Sequence, residues 1–232
     1  MLTVKDLEKS FQQVRALQRV TLTVPRGELC GLLGRNGAGK STLFKIVMGL
    51  LAADAGEIAI AGETIHFGEV EYKRRLGYAP ETPVFYEYLT GHEFLHFIAA
   101  AKAVAPAQRP AEIAKWLAFF ELEGKAGELL VHYSHGMRRK ISLCAALLGA
   151  PTILLLDEAT NGLDPESSFR LKEYLSHIIE TIEHLCDRLV ILEQGRVLRE
   201  LQRREWDELR QRGSSLEKEF MAIIAASLTA RR

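Results

Sequence analysis

Short apolar runs broken by turn residues fill the first third of the chain. Leu2-Thr3-Val4 and Val20-Thr21-Leu22-Thr23-Val24 alternate as half-buried strands do, and Pro25-Arg26-Gly27 reads as a turn. Leu29-Cys30-Gly31-Leu32-Leu33 is a compact apolar run that suits a buried parallel strand. A helix is predicted over 41–51, directly after a glycine-rich loop, and further strands over 56–62 and 76–80. From 90 to about 148 the helical period dominates: Phe94, Phe97 and Ile98 are assigned one face, as are Ile113, Trp116, Leu117 and Phe120. An Ala- and Pro-rich stretch over 103–110 splits that region. Strand character returns over 151–157 and 189–192, and a charged helical tail begins at Arg203. Strands and helices alternating around a helix-rich middle predict an α/β fold with a parallel core and a helical insertion.

Composition narrows the class. The 232 residues suffice for one large domain or one domain with an inserted lobe, and 47% hydrophobic with 26% charged residues is ordinary globular usage. Lys plus Arg equals Asp plus Glu at 30 each, which argues against a broad nucleic-acid surface. Cys30, Cys144 and Cys186 are scattered and odd in number, so they read as reduced thiols. The N-terminus lacks a basic segment followed by an apolar run, and no stretch reaches the ~20 apolar residues of a membrane span. Action at a membrane would therefore go through a partner.

Gly34-Arg35-Asn36-Gly37-Ala38-Gly39-Lys40-Ser41 fits the P-loop pattern G-x-x-x-x-G-K-[ST], between an apolar strand and a helix. Its glycines let the backbone turn tightly and aim N–H groups at phosphate oxygens. Lys40 can reach the β- and γ-phosphates, Ser41 can hold Mg²⁺, and the helix N-terminus favours the same anion. Ile153-Leu154-Leu155-Leu156-Asp157-Glu158 is an apolar strand ending in two carboxylates, at the strand end where open α/β sheets bind ligands. Asp157 would hold Mg²⁺ and Glu158 would polarise an attacking water. Two solvated acids at a strand end are the bland alternative.

Tyr133-Ser134-His135-Gly136-Met137-Arg138-Arg139-Lys140 before that strand, and Asn161-Gly162-Leu163-Asp164 after it, narrow the family. This order resembles ABC ATPases over nearly the whole chain, and most resembles the subfamily that powers separate-subunit, ABC-2-type exporters. The resemblance implies a P-loop NTPase with a RecA-like, mostly parallel core (1–81 and 151–202), a small antiparallel β element near the N-terminus, an inserted helical subdomain (82–150) and a C-terminal helical tail (203–232), all within one ATPase domain. It implies nucleotide contacts from Phe11, stacked on adenine, and from Gly34, Asn36, Gly37, Ala38, Gly39, Lys40, Ser41 and Thr42. Mg²⁺ would be held by Ser41, Glu81 and Asp157. Glu158, His177 and Lys40 would be catalytic, with His177 as the switch histidine. Ser134, His135, Gly136 and Met137 would contact ATP bound by the opposite subunit, and Asp164 would sit in the dimer-bridging loop. The implied partners are a second ATPase subunit, identical or not, and an integral-membrane permease that tethers the chain to the cytoplasmic face of the membrane, with no nucleic acid. Phe11 has a rival reading as a core aromatic, Ser134 as a mere helix cap, and Arg138 and Arg139 read as a solvated helix face.

The sequence departs from the family pattern in three places. His135 and Met137 vary the signature, and Glu81 replaces a glutamine. His177 follows Asp164 by only 13 residues, where the family has a full helix and then a buried strand. A parallel crossover takes a dozen or more residues, so either a segment belongs between about Tyr174 and Ser176 that this sequence lacks, or the deletion is genuine and hydrolysis is weak or absent. The rival functions are a nucleotide-binding module with a degenerate site, a soluble ABC ATPase of translation or repair, and an unrelated P-loop kinase or GTPase.

Overall fold

The computed structural model describes residues 1–157, 163–176, 186–211 and 222–223. They belong to two compact units, Met1–Gly68 with Leu175–Arg232, and Glu69–Tyr174.

In the first unit, β1 (Leu2–Phe11) and β2 (Val14–Val24) form a long hairpin, turned at Gln12 with φ 52°. β1 also pairs antiparallel with β4 (Ala55–Ile60), which pairs with β5 (Glu63–Ile65), in the order β2-β1-β4-β5. Alternating residues Leu2, Val4 and Leu7, Leu17 and Val20, and Ile58 and Ile60 form its buried face. Gly56, at φ 94°, lies where β1 shifts register; a Cβ there would stand 2.6 Å from the Leu7 Cα.

A second sheet holds β3 (Cys30–Leu33) parallel to β8 (Arg188–Glu193), with β9 (Arg196–Gln202) antiparallel beyond it. Leu189 and Leu201 pack there with Leu33, Cys186 and Leu209, the last from α6 (Arg203–Gln211). Arg188 bridges Glu28 and Glu200 at 3.4 and 3.0 Å. α1 (Lys40–Val47) starts one residue earlier than the sequence predicts and ends sooner, because Gly49 takes a left-handed φ of 61°.

In the second unit, β6 (Leu76–Ala79) runs parallel to β7 (Ile153–Leu156). Thr90 and Glu93 build a reciprocal capping box at the start of α2 (Gly91–Ala101). α3 (Arg109–Phe119) opens with Pro in its first turn and buries Ile113, Trp116 and Leu117, with Phe120 just beyond; each such side chain contributes roughly 1.5–3 kcal/mol. α4 (His135–Leu147) presses on β6 so closely that a Cβ at Gly77 would collide with the Ala146 carbonyl.

Phe97 departs from its predicted face: it is 50% exposed, while Phe94, Leu95 and Ala99 are buried. Residues three apart on a helix diverge by about 60°, and the buried arc of α2 stops short of Phe97, whose ring meets Tyr86 edge-on at 5.7 Å. α5 (Pro165–Ser176) runs without a break through Tyr174–Ser176, the place where an extra segment was expected. Among the described residues, β3 has one ladder neighbour, β8, and β7 has one, β6. No helix among them is long and apolar enough to cross a membrane.

Candidate functional site

The P-loop lies between β3 and α1. Gly37 and Gly39 adopt φ 80° and 109°, values that L side chains resist. Gly39 is also the N-cap of α1 and brings no side-chain cap to it, so the helix N-terminus faces the loop with its backbone dipole. Space dictates glycine as well: a Cβ at Gly39 would stand 2.6 Å from the Ala16 carbonyl, and one at Gly34 would strike the Leu192 carbonyl. β2 and the turn after β8 thus support the loop, helped by hydrogen bonds from Gln18 N to the Gly195 carbonyl (2.7 Å) and from Gly195 N to the Ala38 carbonyl (2.9 Å).

Lys40 Nζ donates to the carbonyls of Gly34 (2.6 Å) and Arg35 (3.2 Å), so the ammonium is held over the loop it serves. Ser41 and Thr42 follow in the first turn of α1. A cavity of about 430 Å³ opens beside the loop, lined by Arg35, Asn36, Gly37, Ala38, Glu193 and Gln194. Phe11 ends β1 as an exposed residue, 46% accessible, which removes the core-aromatic reading; Lys9 Nζ stands 5.6 Å from the ring centroid.

The second unit brings together a different set. Asp157, just past β7, is 8% exposed, and its N–H donates to the Ala79 carbonyl (2.9 Å) at the end of β6. Burial, and then the negative charges of Asp157 and Glu81, push the Tyr78 phenol above its ordinary pKa. Both carboxylates therefore bear on one point at the carboxyl ends of two parallel strands. Glu81 and Asp157 in this unit offer carboxylate oxygens, the hard donors Mg²⁺ combines with water and phosphate oxygens, and the Ser41 hydroxyl of the first unit is a donor of the same kind, so each residue fits that ion by its chemistry. Among the described residues no three of His, Cys, Asp or Glu cluster as a metal cage of their own.

Ser134 caps α4, its Oγ accepting from Met137 N at 3.2 Å, and Ser134 and His135 are exposed while Gly136 and Met137 are half-buried. Asp164 caps α5, accepting from Ser167 N at 2.9 Å and pairing with Lys140 at 2.8 Å; these contacts hold its carboxyl well below the ordinary range. Glu158 and His177, and with them two of the proposed catalytic groups, lie outside the described residues.

Arg139 corrects the sequence reading most clearly. Expected on a solvated helix face, it is 2% exposed, and its guanidinium donates to the carbonyls of Pro80, Glu81 (2.8 Å) and Asp157 (3.0 Å). The buried stripe of α4 runs through Arg139, Ser142, Leu143, Ala146 and Leu147 at helical spacing, a signal that could have placed it. Arg138, its neighbour, is half-buried and pairs with Glu87 at 3.0 Å.

The family described as ABC transporter matches residues 17–161, more than half of the chain, including the P-loop, the Ser134 segment and Asp157. The linearmycin resistance ATP-binding protein LnrL of Bacillus subtilis is 32% identical over 85% of this chain and 68% of its own length. A solved ATP binding subunit of an ABC transporter superposes with a TM-score of 0.87 at 34% identity, over 97% of this chain and 99% of its own. A dimeric ATP-binding cassette bound to ADP and phosphate in a post-hydrolysis state shares the fold, with a TM-score of 0.79 at 23% identity over 87% and 98%. The chain spans from 56% to 68% of the length of three curated relatives. The P-loop NTPase fold, the matched family and the well-covered relatives agree: this chain belongs to the ABC transporter family, among its ATP-binding subunits.

Proposed function

We propose that this chain is the ATP-hydrolysing motor of an exporter-type ABC transporter whose permease lies on another chain, on the cytoplasmic face of the membrane. The observation that carries the reading is the P-loop: left-handed Gly37 and Gly39, an uncapped α1 N-terminus and Lys40 poised over the loop form a ready receptor for polyphosphate. Phe11 offers an exposed ring for adenine. Mg²⁺, when bound, neutralises charge on the β- and γ-phosphates; Ser41, Asp157 and Glu81 would hold it. Glu158 accepts hydrogen bonding from the attacking water, and Lys40 stabilises charge that builds on the γ-phosphate oxygens. His177 would sense the γ-phosphate.

The exposed Ser134 and His135 at the start of α4 suit contact with ATP held by a second subunit, so ATP would close a head-to-tail dimer and hydrolysis would open it. Asp164 would lie in the loop bridging the pair. Exposed Val84, Tyr86 and Tyr88, with Phe97, give the second unit an apolar surface suited to a permease. Equilibrium binding of ATP tests the central observation: Lys40→Met should weaken binding by about tenfold or more, as loss of a charge-assisted contact does. Equal affinity in the two proteins would overturn it.

One observation favours a second reading, a nucleotide-binding subunit that hydrolyses weakly. α5 (Pro165–Ser176) fills every position between Asp164 and His177. A core strand reached by a crossover takes a dozen or more residues, so no room is left ahead of His177 for a strand that would deliver it to the edge of the sheet. Tight ATP binding without phosphate release would select this reading.

A further inference from the structure

We infer that Arg139 is a positioning residue that ties the segment facing a partner's ATP to the loops facing this chain's own Mg²⁺ and water. The inference rests on the ATP-binding reading above. Arg139 belongs to α4, the helix that Ser134 caps and whose first residues would touch the opposite subunit's nucleotide. Its side chain is the largest fully buried one among the described residues. It reaches the ends of two strands at once, donating from Nη1 to the carbonyls of Pro80 and Glu81 and from Nη2 to the carbonyl of Asp157. β6 ends at Ala79 and β7 at Leu156, so these carbonyls stand just past the ladder that pairs Ala79 with Leu156. Such groups need donors when buried.

The planar fork of Arg suits this task, because one rigid group spans acceptors on two chain segments; Lys presents a point charge and cannot bridge them in the same way. Burying a guanidinium is costly unless its hydrogen bonds are made, which fixes the geometry of whatever it holds. Glu81 and Asp157 are thereby oriented through their main chains by a residue of the signature helix. A displacement of α4's N-terminus on contact with a partner's ATP would move the carboxylates of this chain's own site, a physical link between the two nucleotide sites. Lys102 supplies an internal control: its Nζ donates to the carbonyls of Ala145 (3.0 Å), Ala146 (2.9 Å) and Leu148 (2.9 Å), at the other end of the same helix and away from Glu81 and Asp157.

The experiment compares full-length wild type, Arg139→Met, Arg139→Lys and Lys102→Met by thermal melting and by binding of a fluorescent ATP analogue across a Mg²⁺ titration. Arg139→Met should raise the half-saturating Mg²⁺ concentration by roughly tenfold or more, the effect expected when the support of a metal ligand is lost, while leaving Mg²⁺-free binding unchanged. Lys102→Met should lower the melting temperature without moving the Mg²⁺ requirement. If Arg139→Met does not fold, Arg139→Lys carries the test, with a Mg²⁺ shift in the same direction. Melting temperatures lowered in both Arg139 and Lys102 variants with an unchanged Mg²⁺ requirement would overturn the inference and leave ATP binding standing. A wild type that binds no analogue would overturn the functional reading and this inference with it.

Discussion

Asp164 shows how one side chain can serve local structure and a proposed interface together. It caps α5 and holds Lys140 at 2.8 Å. Asp164→Ala should cost about 1 kcal/mol, the usual loss for a missing N-cap. Its folded pKa is depressed below the unfolded value, so its stabilisation is complete above pH about 4 and is lost as pH falls through the folded value. The difference in melting temperature between wild type and variant should therefore shrink between pH 7 and pH 3. Lys102 has the opposite sign: burial pushes it down to about 8, so between pH 8 and about 10.4 the unfolded chain binds more protons and this group's contribution to stability rises with pH. Lys102→Met should abolish that rise in melts over the same window, and at pH 7 should cost about 1–3 kcal/mol for carbonyls left without their donor. The P-loop was legible because its residue types are forced by φ and by space at single positions. Arg139 and Lys102 were not, because a lone cation in a sequence is expected in water, and only the packing around α4 shows otherwise.

At the scale of elements, α4 carries two roles at its N-terminus that can be separated. Ser134→Gly should leave the melting temperature nearly unchanged, since glycine at an N-cap costs only about a few tenths of a kcal/mol, yet should reduce turnover by about tenfold or more if the hydroxyl meets a partner's phosphate. A parallel fall of stability and turnover would make Ser134 a cap alone. The strands over 153–156 and 189–192 and the face of α3 were legible from apolar runs and helical spacing. The end of α1 was misplaced because Val47-Met48-Gly49-Leu50-Leu51 stays apolar, and only the left-handed Gly49 stops it. Phe97 was misplaced because a hydrophobic side chain on α2 meets Tyr86 on an open surface instead of the core.

At the scale of the whole molecule, the pairings join distant segments: β3 with β8, β6 with β7, β1 with β4. Apolar runs announce such strands but carry nothing about their order, which follows from crossovers and packing. The unbroken α5 matters here, because a helix that fills the positions between Asp164 and His177 bears on whether the motor turns over or only holds ATP. The most direct test of the motor is phosphate release by the purified chain with Mg²⁺ and ATP, measured beside Glu158→Gln. Saturable release by wild type, lowered at least about a hundredfold in Glu158→Gln with ATP affinity unchanged, is the result this account predicts. Release equal in both proteins, or none from a wild type that binds ATP, would contradict it.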